Sequence, residues 1–262
     1  MGRIQLFEFF DLTWVPGVLR QCGVEYLAFI EGTAKGPVST LAEPISRALE
    51  MVPADGDGRK RVVDLCSGAA GPWPVLLESL PDVSVTCTDL HPNLAALERA
   101  ADRSDRLKFE RASVNALEVP NELVGARTII NGFHHFPPAM AAGILQSAVD
   151  ARAPIAVLEM TSRSALHVLT SPFIFLACLL VTPFVKPFRL SRLLFTYLIP
   201  LLPWMIWWDG LVSGLRVYSE GELKELVSGL NLPGDYTFEV GSLKAGPLRV
   251  PYLVGKPSAS LA

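Results

Sequence analysis

Charge is scarce in this chain. Asp, Glu, Lys and Arg make up 19% of its 262 residues while apolar residues make up 50%, where globular proteins average about 25% charged. That mixture excludes disorder, a collagen repeat and a coiled coil. No basic block stands out, and a net charge of −3 with a pI near 5.8 argues against a nucleic-acid partner. Cysteine is also scarce. The four residues Cys22, Cys66, Cys87 and Cys178 lie far apart, with no CxxC and no zinc spacing, so neither a disulfide framework nor a metal site is expected. Reduced thiols in a cytoplasmic protein are the simplest reading. The N-terminal stretch lacks the uninterrupted apolar core of a signal peptide, because Arg3, Glu8, Asp11 and Arg20 break it. Leu6 stands where the myristoylation pattern wants Ser or Thr.

What is present divides along the chain. Residues 1–55 read as a helical cover, with apolar residues from Phe7 to Trp14 and from Tyr26 to Ile30 at near-helical spacing and Pro16-Gly17 as a break. A polar linker, Pro53 to Arg61, leads into 56–163, where strand and helix alternate. Strands are predicted at Val62–Leu65, Val83–Asp89, Lys108–Arg111, Thr128–Asn131 and Ile155–Glu159, and helices at Val75–Leu80, Asn93–Ala101 and Met140–Ala151. This rhythm predicts parallel βαβ units in an α/β, doubly wound sheet. From 209 to 262 a helix at Glu220–Gly229 precedes strands at Tyr236–Val240 and Pro251–Val254, a hairpin that closes a seven-stranded, mostly parallel sheet. The last six residues read as a loose tail.

A ligand in such a sheet sits at the carboxyl ends of the strands, beside strand one. The turn there is Asp64-Leu65-Cys66-Ser67-Gly68-Ala69-Ala70-Gly71. It lacks a glycine for a dinucleotide fingerprint and has no GlyLys pair for a P-loop. An acid at the tip of strand one suits a ligand with an ammonium group. A second acid, Asp89, ends strand two, and one carboxylate can accept from both hydroxyls of a ribose. A ligand with an amino acid at one end and a nucleoside at the other fits both: S-adenosylmethionine. Two plainer readings compete, an ordinary βα turn at Gly68 and Gly71 and a helix cap at Asp89.

At these residues the chain resembles the class I S-adenosylmethionine-dependent methyltransferases, from about residue 60 to 255. The family's acid-x-G-x-G-x-G motif is matched by Asp64, Gly68 and Gly71, with Ser67 and Ala69 as small stand-ins. The resemblance implies that Asp64 and the Gly68–Gly71 backbone hold the methionine portion, with Cys66 as small filler. It implies that Asp89 holds the ribose, Leu90 the adenine face, and Asn115-Ala116 the place of an Asp–Ala pair at the adenine amine. Ile130-Asn131-Gly132-Phe133-His134-His135-Phe136-Pro137 resembles the catalytic-side loop of small-molecule methyltransferases, which brings Asn131 to the cofactor and His134 and His135 to the reaction. Leu215 to Ser219 resembles the segment entering the last core helix of quinone-type enzymes. The opening PheGluPhePheAspLeuThrTrpValPro, the AspLeuCysSerGlyAlaAlaGlyProTrp turn and the greasy insertion together resemble a bacterial subfamily of these enzymes.

A histidine beside a bound acceptor is a natural general base. The other reading packs His134 beneath the cofactor and ties His135 to a backbone group, since methyl transfer can proceed by alignment alone. Trp14, Tyr26, Phe133 and Glu159 are candidates for the acceptor pocket, with core packing as the alternative for the aromatic residues. The expected function is methyl transfer to a small, hydrophobic or membrane-associated acceptor. The alternatives are an NAD-dependent oxidoreductase and a non-catalytic membrane-docking protein on a methyltransferase core.

Residues 164–208 break the rhythm. Ser164–Val185 and Leu193–Trp208 contain no Asp, Glu, Lys or Arg, and Lys186, Arg189 and Arg192 sit between them. A helical Leu193–Trp208 reaches about 24 Å, short of a ~30 Å hydrocarbon core, and Pro172, Pro183, Pro187, Pro200 and Pro203 interrupt both arms. A hairpin that dips into the cytoplasmic face of a membrane or roofs a lipophilic pocket is expected. Its three cations would meet anionic headgroups and Trp204, Trp207 and Trp208 would form an interfacial belt. The alternative is a pair of buried core helices or a dimer interface.

Overall fold

Strand β1 (Lys60–Leu65) runs through the middle of the sheet in the computed structural model, which describes residues 2–246 and 248–258. Its last four residues are buried. Val62 faces one hydrophobic cluster and Val63 the other, so the segment reads as a continuous apolar run rather than an alternation. Strands β2 (Val83–Cys87), β3 (Leu107–Phe109), β4 (Ala126–Ile130) and β5 (Ile155–Leu158) join it in parallel. Strands β6 (Tyr236–Ala245) and β7 (Leu248–Pro257) form the antiparallel hairpin, with β7 against β5. The order is β3-β2-β1-β4-β5-β7-β6, so the chain reverses direction between β1 and β4. All seven predicted strands form. The hairpin runs further than the apolar pattern suggested, with register pairs out to Ala245–Leu248, because each added pair satisfies backbone groups whatever the side chains are. The tail residues 259–262 lie outside the described residues.

Helices cover both faces. On one side lie α2 (Lys35–Ser39), α3 (Ala42–Ala48), α4 (Trp73–Ser79) and α5 (Leu94–Ala101), and on the other α6 (Pro138–Asp150) and α11 (Glu220–Ser228). Asn93 caps α5 through its side chain, which accepts from the Ala96 N–H at 3.2 Å. Ser219 and Glu222 form a capping box at α11.

The hydrophobic insertion folds as α7 (Ala165–Thr170), α8 (Pro172–Val181), α9 (Leu190–Leu193), a π-helical turn at Leu194–Leu198 and α10 (Leu201–Arg216), which runs on past residue 208. Among the described residues no single helix is long and apolar enough to cross a membrane; Leu190–Leu198 and α10 form a pair bent by 82°. The insertion packs on the N-terminal helix α1 (Gly17–Thr33): Cys178, Val185, Leu202 and Ile206 meet Cys22 and Tyr26. Charge locks this contact. Arg189 grips the buried Glu25 of α1 with contacts at 2.8 Å, and the fully buried Arg192 also pairs with it. Of the three cations expected to face headgroups, Arg192 is therefore buried, Arg189 is paired but partly exposed, and Lys186 is exposed. An uncompensated carboxylate in an apolar helical lobe is far more costly than a gripped one, and Glu25 captures both arginines.

Candidate functional site

The β1 tip and the switch point are built together. After Leu65 the backbone enters the left-handed region at Cys66, Gly68, Ala70 and Gly71. Ser67 and Ala69, the expected stand-ins, have no such need; the small side chains that take on the strained geometry are Cys66 and Ala70. Leu and larger residues seldom adopt it, which is why this turn is small throughout. A Cβ added at Gly68 would project into open space, so a ligand can come onto its backbone closely.

Asp64 does not face that space. It is 2% exposed, and its two oxygens accept at 2.6 Å from the hydroxyls of Ser67 and Thr128. Burial pushes its carboxyl up to about 6. It organises the turn from below, and each of its oxygens keeps a further lone pair. Asp89 stands at the other side. One oxygen accepts from the Gly68 N–H at 2.9 Å and the other from the His91 N–H at 2.8 Å. Each keeps a lone pair. The helix-cap reading of Asp89 fails, because the cap of α5 is Asn93.

Leu90 is half exposed beside Asp89 and its carbonyl accepts from Ser113. Asn115 lies exposed in the loop after β3, its side-chain oxygen accepting from the Leu117 N–H at 3.0 Å. Ala116 is buried in the core cluster of β4 and α6 and faces no ligand space. Cys66 is half-buried, and burial pushes its thiol up to about 12, so it acts as filler.

Glu31 is the residue that sequence reasoning missed. It comes from α1 and reaches Asn131 at the end of β4, whose amide donates to it at 3.1 Å. Asn131 also accepts from the Met160 N–H at 2.7 Å, which fixes the amide's orientation. Burial, with Asp64 adding to it, pushes Glu31 up to about 7 against the Asn131 bond. Its carboxylate lies about one van der Waals contact from the position a Cβ would take at Gly71. A lone glutamate in a covering helix carries no sequence signal for this.

A second constellation sits at the ends of β4 and β5. A 3-10 turn at Phe133–His135 follows Asn131. His134 is buried; its backbone N–H and its Nδ1–H donate to the two oxygens of Glu159 at 3.0 and 2.9 Å. Its Nε2 has no hydrogen-bond partner and stands 3.9 Å from Glu8 of the N-terminal segment. Glu159 is thus a partner of His134 rather than part of a pocket wall. His135 is half-buried with Nδ1 at 3.2 Å from Asp11. Burial opposes its charge, but the Asp11 bond and the charges of Glu8 and Asp11 outweigh burial and hold its proton above the ordinary imidazole range. Glu8, His134 and His135 bring ligand atoms within 4.8 Å of one another. Arg216 already answers that negative charge, at 3.0 Å from Glu8 and 3.1 Å from Asp11. The remaining pocket expectations are corrected. Trp14 is 69% exposed at the surface, Tyr26 is buried against the insertion, and Phe133 packs in the core beside Tyr218. An amphipathic stretch does not reveal which of its aromatic residues turns outward.

No family model and no curated protein matches this sequence. Solved structures do match. The plantazolicin methyltransferase BpumL in complex with S-adenosylhomocysteine superposes over 95% of this chain and 94% of its own, with a TM-score of 0.53 and 10% identity. Human N-acetylserotonin methyltransferase in complex with S-adenosylmethionine covers 90% of this chain and 56% of its own, at a TM-score of 0.51 and 10% identity. An O-methyltransferase family 2 protein from Planctomyces limnophilus in complex with apigenin covers 91% and 65%, at 0.50 and 14% identity. This chain spans between 54% and 65% of the length of several matched structures. The likeness is one of fold: the chain has the class I methyltransferase fold, as the sequence motifs led us to expect.

Proposed function

We propose that this protein transfers a methyl group from S-adenosylmethionine to a hydroxyl of a small, lipophilic acceptor. The observation that carries this reading is Asp89 closing onto the Gly68 N–H at the switch point, with open space above Gly68. The free lone pairs of Asp89 suit the two ribose hydroxyls, and Leu90 with Asn115 lies where an adenine would extend. Glu31 is a second carboxylate available to the ammonium group beside Asp64, whose oxygens already accept from Ser67 and Thr128. When bound, the cofactor supplies an electrophilic methyl carbon on a sulfonium.

His134 is our choice of general base. Because Nδ1–H donates to Glu159, Nε2 carries a lone pair, and that is the atom that would take the acceptor's proton. Glu159 fixes the tautomer and stabilises the charged ring that results, as an orienting carboxylate does in a hydrolase triad. His135 instead has its Nδ1 engaged by Asp11 and Arg216. The matched O-methyltransferase family 2 protein in complex with apigenin supports an oxygen acceptor. Titration calorimetry with S-adenosylhomocysteine tests the cofactor, and mass spectrometry of extracts incubated with protein and labelled cofactor tests the transfer. A protein that ignores S-adenosylhomocysteine but binds NAD would overturn the reading.

A further inference from the structure

The insertion presents an apolar surface out of proportion to the rest of the molecule. Leu169, Phe173, Leu176, Leu180 and Phe184 recur at intervals of 4, 3, 4 and 4 along α7, α8 and the turn after it, and all five are exposed. A second stripe, Leu194, Leu198, Leu201 and Trp204, runs along the bent pair beside it, and Trp204 meets Phe175 of α8 edge-on at 5.1 Å. Leu180 is 74% exposed and Leu198 76%. Together these side chains expose on the order of 1,000 Å² of apolar surface, where the largest patch on a typical monomer is about 300–600 Å².

We propose that this surface docks the protein into one leaflet of a phospholipid bilayer, by burial among acyl chains rather than by charge. Charge is the first argument. Neither arm of the insertion contains Asp, Glu, Lys or Arg, and both arginines of the connecting loop are paired with Glu25, Arg192 buried and Arg189 partly exposed, with Lys186 exposed beside them. The surface matches hydrocarbon and offers little to an anionic headgroup. The hydroxyls are the second argument. Tyr197 donates to the Leu179 carbonyl, Thr170 to that of Leu166 and Ser171 to that of Val168, while Thr182 and Thr196 pair with each other. Thr170 and Tyr197, the two of these that are exposed, thus spend their donors within the insertion, as a lipid environment with no acceptor to offer demands. A protein partner would instead be met by about one intermolecular hydrogen bond per 100–200 Å². Length is the third argument. The ten residues of α8 reach about 15 Å, half of a ~30 Å hydrocarbon core. The 82° bend at residues 199–200 breaks the second arm, so neither arm makes a continuous span.

The docking stands whether or not the protein transfers methyl groups, so its test uses no cofactor. The full chain is floated on a density gradient with vesicles of phosphatidylcholine alone and of phosphatidylcholine with phosphatidylserine, at 0.1 and 1 M NaCl. It should rise with both vesicle types at both salt concentrations. The variant carrying Phe173→Glu, Leu180→Glu and Leu198→Glu should stay at the bottom, each charge lowering partition roughly 10- to 100-fold, while its circular dichroism spectrum and thermal melt match the parent's. All three positions are exposed, so the fold should tolerate them. A parent chain that stays below the vesicles and sediments as a dimer assigns the surface to a second copy and overturns the proposal. Flotation restricted to phosphatidylserine vesicles and released by salt overturns it in favour of charge, and so does a triple variant that still floats.

Discussion

The Glu31→Gln substitution separates our reading of the cofactor site from the motif-based one. Glu31 is pushed up to about 7 by burial and by the nearby Asp64, so in the free protein it is mostly neutral at pH 6 and mostly charged at pH 8. If the ligand's ammonium group requires the charged form, apparent affinity scales with the charged fraction. For a group titrating at about 7 that fraction changes about 25-fold between pH 5.5 and 7.5. The dissociation constant of S-adenosylhomocysteine should therefore fall about 25-fold from pH 5.5 to 7.5 in the parent. In Glu31→Gln it should be weaker at pH 7.5 and nearly flat, the residual slope belonging to Asp64, which titrates near 6. Stability should move in the opposite direction. A carboxyl whose folded value is raised binds its proton more tightly in the folded state, so its contribution is present below the ordinary value of 4.5 and is lost as pH rises through about 7. The Gln variant, which has no such loss, should be more stable than the parent above pH 7 by roughly 1–3 kcal/mol. Calorimetric titration at three pH values and urea unfolding at the same values measure both. A parent affinity independent of pH, or a Gln variant that binds as well as the parent at pH 7.5, would refute the assignment of Glu31.

Asp89→Ala should lower affinity for S-adenosylhomocysteine at least tenfold, at roughly 1–3 kcal/mol per unsatisfied donor, with the melt little changed; an unaltered dissociation constant would remove Asp89 from the site. His134→Ala should lower turnover about 100-fold or more with cofactor binding intact, and Glu159→Gln should lower it by about a tenth of that effect; normal turnover in both would mean that alignment alone suffices. Glu25→Ala leaves the buried Arg192 unpaired and should cost about 3–5 kcal/mol in urea unfolding. In the parent, burial works against the charge of Glu25, but hydrogen bonds from Arg189 and Gln21 and the two arginine charges depress its pKa below 4.5. Its contribution is present above 4.5 and should be lost as pH falls through the depressed value, releasing the insertion from α1 in acid.

The strands and their order were legible because each depends on a local pattern. Val62 to Leu65 is apolar because both faces of a central strand are covered, and the β1 turn is small because its backbone turns left-handed. Asp89 was legible for the same reason: the tip of strand two lies at a known place relative to the tip of strand one. The acid at the tip of β1 was legible as part of the turn, but its hold on the loop through two hydroxyls was not. Its hydroxyl partner Thr128 is 64 residues away, and no local pattern tells a buried acid that organises a loop from one that faces the ligand.

By itself the sequence determined a seven-stranded α/β sheet, its switch point, an apolar N-terminal segment and an insertion with two uncharged arms. Periods of two and near 3.6 and the geometry of tight turns operate over a few residues, so composition and spacing carry them. Only the tertiary structure decided which charges meet. Glu25 with Arg189 and Arg192, Glu8 with Arg216, and Glu31 with Asn131 join residues 100 or more positions apart. It also decided which side of the insertion is bare, pairing two arginines with Glu25 and leaving Leu180 and Leu198 outside. Burial is a property of the whole packed chain. A carboxylate's role follows from what surrounds it, and that is set when distant segments come together.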